Sequence, residues 1–211
     1  MPPEVAARNL EMLKSGEGAD WEVRCGSKIF AVHKAIVWPA LKAKLYGQVE
    51  TDSFIRLYSD KESSVVEYWA MIMYLYTGEY DAGECLEKGD EGTAADRGTR
   101  SRTNFRTAIV KDAGAHDTEA RMMVHIKVYS LADLYHITDL KQFALEKFQA
   151  LTTDYWPYKD LEGMVDAVHN SKSPYDIGLR QVMRDVCMAH YEELMKTRAV
   201  WMQWVVMELL P

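Results

Sequence analysis

The chain has 211 residues, 48% of them apolar, and a formal net charge of −7. That size buries about 70% of the surface its unfolded form exposes, so a core needs no disulfide or metal staple, and global disorder is excluded. The acidic balance disfavours direct binding to nucleic acid, which needs a basic face to displace counterions.

Residues 4–14 suit a short helix, with Leu10 and Leu13 three apart and Ala6 on the same side. Gly16 and Gly18 stop it. Trp21 to Cys25 alternates apolar and charged residues, the strand period with one buried face. Gly26-Ser27 fits a two-residue hairpin turn, and Lys28 to Val32 returns as a second strand. His33 to Trp38 reads as a brief helix that Pro39 interrupts, with a second short helix at Ala40 to Tyr46. Phe54 to Tyr58 reads as a third strand. Ser64 and Glu67 form a capping-box pattern ahead of a helix apolar on most sides, hence centrally buried, which Gly78 ends.

Composition then shifts. Residues 82–118 are rich in Gly, Ala, Thr and charges of both signs, and read as an inserted flexible loop. Val124, Val128, Leu131 and Tyr135 fall at helical spacing, as do Leu140, Ala144, Phe148 and Leu151. A short turn at Ile137-Thr138 makes the two helices antiparallel neighbours. Leu161, Val165 and Val168 stripe the next helix. Ser173-Pro174-Tyr175-Asp176 is a start signal for another, striped by Leu179, Val182, Val186 and Ala189. Trp201, Trp204, Val205 and Leu209 suggest a last helix, as core packing or as a docking surface.

Candidate chemistry is sparse. Cys25, Cys85 and Cys187 are far apart with no CxxC, so no zinc ribbon or redox pair is indicated, and reduced thiols of the cytosol or nucleus are expected. No nucleophile elbow, phosphate loop, HExxH or dinucleotide fingerprint occurs. His125 and His136 are eleven apart, too far for one metal ion, and are expected at a surface or interface. His33 is expected to be structural, its ring bonded to backbone or to Asp20. No secretory signal is read in Met1-Pro2-Pro3-Glu4-Val5, and no apolar run is long enough to cross a bilayer. No cofactor, metal or membrane partner is expected, and location is expected to be cytoplasmic, nuclear or both.

Three stretches carry a family resemblance: Ala19-Asp20-Trp21-Glu22-Val23, then Phe30 to Val37 around His33, then Tyr74 to Tyr80 around Gly78. Val128-Tyr129-Ser130-Leu131-Ala132-Asp133-Leu134-Tyr135 adds a fourth. In order and spacing these resemble the BTB/POZ domain, in the form common in filamentous fungi. The resemblance implies an α+β fold, a small sheet of three or more strands flanked by helices, over 1–151. An all-α extension over 152–211, loosely similar to the BACK segment, follows it. It implies a non-enzymatic protein-interaction scaffold that forms homodimers, with Leu10 and Leu13 facing a twofold partner; the alternative is that this helix caps its own domain. It also implies a role as substrate adaptor for cullin-type ubiquitin ligases through Gln48, Val49 and Glu50. There Glu50 matches the family pattern, but Gln48 replaces an apolar residue. An amide in an apolar pocket loses transfer energy, which weakens that implication. The alternatives are a transcription- or chromatin-linked regulator acting through self-association and, more remotely, an enzyme with an unrecognised site.

Overall fold

A computed structural model describes residues 2–25, 28–42, 54–57, 65–88, 115–155, 160–170 and 177–196. The fold is mixed α+β, mostly helical, with one three-stranded sheet.

Helix α1 (Pro3–Ser15) starts on proline and carries Glu4 in its first turn and Lys14 in its last, both complementing the helix dipole. Gly16, at φ 67°, supplies the left-handed residue that closes it. Strands β1 (Trp21–Cys25) and β2 (Lys28–Val32) form an antiparallel hairpin in which Trp21 faces Val32 and Cys25 faces Lys28. The Gly26-Ser27 turn lies outside the described residues. Strand β3 (Phe54–Leu57) pairs with β1 in parallel, giving the order β2-β1-β3. The pleat aligns Val23, Phe30 and Ile55 on the inner face and Glu22, Ala31 and Phe54 on the outer. The expected Tyr58 end of β3 falls outside the described residues.

Helix α2 (Lys34–Leu41) runs through Pro39, so the expected break at Trp38 does not occur. A proline there costs about 3 kcal/mol. Val37 and Leu41 are fully buried, and Trp38 packs edge-on against Trp21 at 5.8 Å, which offsets that cost. Residues 43–46 of the expected second helix lie outside the described residues, and Ala40 and Leu41 belong to α2.

Helix α3 (Val65–Thr77) is the central element, touching α1, α2, α4 and α5. Its burial on many sides matches its nearly continuous apolar sequence. Phe30 of β2 stacks on its Trp69, with ring centres 5.6 Å apart.

The flexible loop expected over 82–118 is corrected at both ends. Residues Ala82–Lys88 form helix α4, and helix α5 (Ala115–Tyr135) is already under way at 118. Asp81 is the signal that composition obscured: its Oδ1 accepts from the Glu84 N–H at 2.8 Å and starts α4. Residues 89–114 lie outside the described residues.

Helices α5 and α6 (Thr138–Asp154) form the expected antiparallel pair. His136 closes α5 at φ 57°, with its N–H donating to the Asp133 carbonyl and the Ile137 N–H to the Ala132 carbonyl. This is a Schellman closure built on histidine where glycine is usual. Lys141 of α6 pairs with Asp133 of α5 at 2.7 Å.

Helices α7 (Leu161–His169) and α8 (Gly178–Ala189) pack on this pair, and a further helical stretch spans 191–196. Asp160 caps α7 through the Gly163 N–H at 2.9 Å. The Ser173-Pro174 start signal and the tryptophan-rich 201–209 helix lie outside the described residues. Leu161, Met164, Val168, Leu179 and Met183 join the same core as the sheet and α3. Among the described residues no helix is long and apolar enough to cross a membrane.

Candidate functional site

The fold-motif residues Asp20, His33 and Gly78 are 58 positions apart at their extremes but converge on one knot at the C-terminal end of α3. At its centre is Tyr76, which is fully buried. The His33 N–H donates to Tyr76 Oη at 2.6 Å, and the same hydroxyl meets His33 Nδ1 at 2.8 Å. The hydroxyl accepts the backbone proton and donates its own to Nδ1. That leaves Nε2–H to donate to the Glu17 carbonyl at 2.9 Å, so one neutral tautomer satisfies every partner. Burial, more than any charge, pushes the Tyr76 phenol up and keeps it protonated. Asn9 of α1 donates to the Tyr76 carbonyl at 2.9 Å, tying α1 to the same point.

Asp20 does not bond the His33 ring, as the sequence suggested it could. Its Oδ1 accepts from the Lys34 N–H at 2.8 Å and so satisfies the first turn of α2. Gly78 adopts φ 81° and its N–H closes α3 on the Tyr74 carbonyl at 2.7 Å. These three residues hold structure together.

Leu10 and Leu13 separate. Leu13 is only 5% exposed and packs in the core of its own chain, where the alternative of a helix capping its own domain would put it. Leu10 is half-buried against that core, and Val5, five positions earlier and about 140° round the helix from it, is 45% exposed. Gln48, Val49 and Glu50 lie outside the described residues.

His125 is not at the surface, contrary to expectation. It is 4% exposed, with Nδ1 2.7 Å from the buried Tyr80 hydroxyl. The spacing of His125 and His136 could not reveal this, because α5 is apolar on several sides. Glu67 is a second surprise. It is 7% exposed, with Oε1 3.3 Å from Lys127 Nζ and Oε2 buried without a partner. Burial raises its carboxyl above the ordinary range, and Lys127 only partly offsets that. The thiols are pushed up by burial, Cys25 to about 12 and Cys187 to about 11, so neither is a nucleophile near neutrality. Glu192 and Glu193 are exposed on successive helical positions.

Among the described residues no three His, Cys, Asp or Glu side chains are grouped to hold a metal ion. Tyr76 with His33 and Tyr80 with His125 are engaged with one another or with backbone, while Glu67 keeps one buried oxygen unpartnered. Comparison with models of known families, with curated proteins and with solved structures finds no match.

Two outcomes follow from this geometry. Tyr76→Phe strands the His33 N–H and removes the donor to Nδ1, and should cost about 1–3 kcal/mol in urea unfolding; a change below a few tenths would show that the knot contributes nothing. For Glu67, the folded carboxyl holds its proton above pH 4.5 while the unfolded one releases it. Stability contributed by the neutral form is therefore present at low pH and lost as pH rises through the folded value. Glu67→Gln should remove that decline, gaining on the parent as pH rises above 4.5, whereas parallel pH profiles of the urea midpoint would refute the assignment.

Proposed function

We propose that this chain is a protein-interaction module of the BTB/POZ type that acts by burying surface against other protein chains. The observation that carries the reading is the sheet. A β1–β2 hairpin joined by a third strand into one small sheet, followed by a centrally buried helix, fits the element order the motif resemblance implies. The convergence of Asp20, His33 and Gly78 on Tyr76 supports it further, since distant motif residues acquire a shared structural reason. The engagement of the buried carboxylates and histidines in core contacts supports docking in preference to catalysis.

Self-association is part of this reading, with the accessible part of Leu10 and, on an adjoining face of α1, Val5 as the residues a second chain would cover. The adaptor role is the other part, through Gln48, Val49 and Glu50 presented to a cullin.

Light scattering at micromolar concentration should give a mass of two chains, and the double variant Val5→Asp with Leu10→Asp should give one with its circular dichroism preserved. A single-chain mass for the parent would remove self-association. For the adaptor role, Gln48→Leu should strengthen capture of a cullin in a pulldown by restoring an apolar contact; no capture by either form would remove that part.

A further inference from the structure

The turn that leads into α4 is held by a contact that surface docking does not use. We propose that Tyr80 and His125 form an acid-operated latch, fastening residues 79–81 and α4 onto α5 at neutral pH and releasing them when the imidazole gains a proton.

The geometry is that of a closed clasp. Both side chains are at least nine-tenths buried, their ring centres are 5.4 Å apart, and Nδ1 lies 2.7 Å from the hydroxyl. Phe143 of α6 packs on the other side of Tyr80 at 5.4 Å. A neutral imidazole completes this bond at no cost. A charged one must be held away from water, and with both ring nitrogens then donors the phenol proton has to leave the bond it made to Nδ1.

The charged groups around the ring oppose protonation on balance. Lys147 of α6 and Arg121 of α5 disfavour a second positive charge, and only Asp81, in the latched turn, favours it. Burial is the largest cause, and together these hold the imidazole down at about 4. Once the turn is released, the ring returns toward its ordinary value near 6.5. The released form therefore binds a proton that the latched form does not, and release grows as pH falls from about 6.5 to about 4.

Helix α4 is the element placed to let go. Its seven residues are too few to hold as an isolated helix. It is fastened to α1 by the Lys14–Glu84 pair at 3.1 Å, in which Lys14 is exposed and Glu84 about one-third so, a kind of contact worth little. Cys85 packs on Met73 of α3. The helix packs on α5 as well as on α3, and its first turn is capped by Asp81 of the 79–81 turn. A small shift of the 79–81 turn thus displaces the helix, while the α5–α6 core around Leu140 and Phe148 has its own packing.

Amide hydrogen exchange at pH 7 and pH 4.5, corrected for intrinsic rate, tests this on the full chain. Protection of residues 79–88 should fall by roughly fifty- to a hundredfold at the lower pH, while residues 140–148 keep theirs. His125→Gln, which cannot titrate, should make protection of 79–88 independent of pH. Should that variant fail to fold, the parent alone still decides. Unchanged protection of 79–88 at pH 4.5, or a loss shared equally by 140–148, would overturn the latch, as would a folded His125→Gln chain as acid-labile as the parent.

Discussion

The hydroxyl of Tyr76 is bonded by both the main chain and the ring of His33, and the order of the N-terminal half follows from that. His33 stands where β2 gives way to α2, and Tyr76 is the penultimate residue of α3. The ring's far nitrogen reaches the loop after α1, and the tyrosine carbonyl takes a proton from Asn9 within α1. Four segments thus meet at one residue whose polar atoms would be costly to bury unpaired. Apolar packing makes the region compact, and this knot sets the registration of one element against the next.

Much of the architecture was legible because period and punctuation agreed. The strand alternation from Trp21, the paired stripes of α5 and α6, and the stop at Gly78 each rest on local rules that tertiary packing then reinforced. Pro39 shows where local rules lost. Its penalty is real, but burial of Val37 and Leu41 and the Trp21–Trp38 contact are non-local, and a one-dimensional reading cannot weigh them. The start of α4 was hidden for the opposite reason, since one capping aspartate is a small signal inside a Gly- and charge-rich stretch.

The motif positions were legible as a set, yet their chemistry was not. Asp20, His33 and Gly78 could be picked out, but Tyr76 was one of several aromatic residues in a largely apolar helix, and nothing in such a run says where a hydroxyl points. Glu67 fitted a capping pattern, yet its carboxylate is buried beside Lys127 from a helix 60 positions away. His125 sits on a helix with several apolar sides, where inward and outward cannot be told from spacing. In each case the missing information was a long-range partner. Leu13 is the converse: its spacing marked an apolar face correctly, but whether that face meets its own core or a second chain is decided only in three dimensions.

The parallel pairing of β3 with β1 has a consequence for how the chain acquires its shape. The β1–β2 hairpin joins residues close in sequence and can form in microseconds. Joining Phe54 to Glu22 instead means closing a span of about thirty residues before any ladder bond rewards it. The hairpin is therefore the early nucleus, and the third strand is the late arrival whose docking seals the sheet.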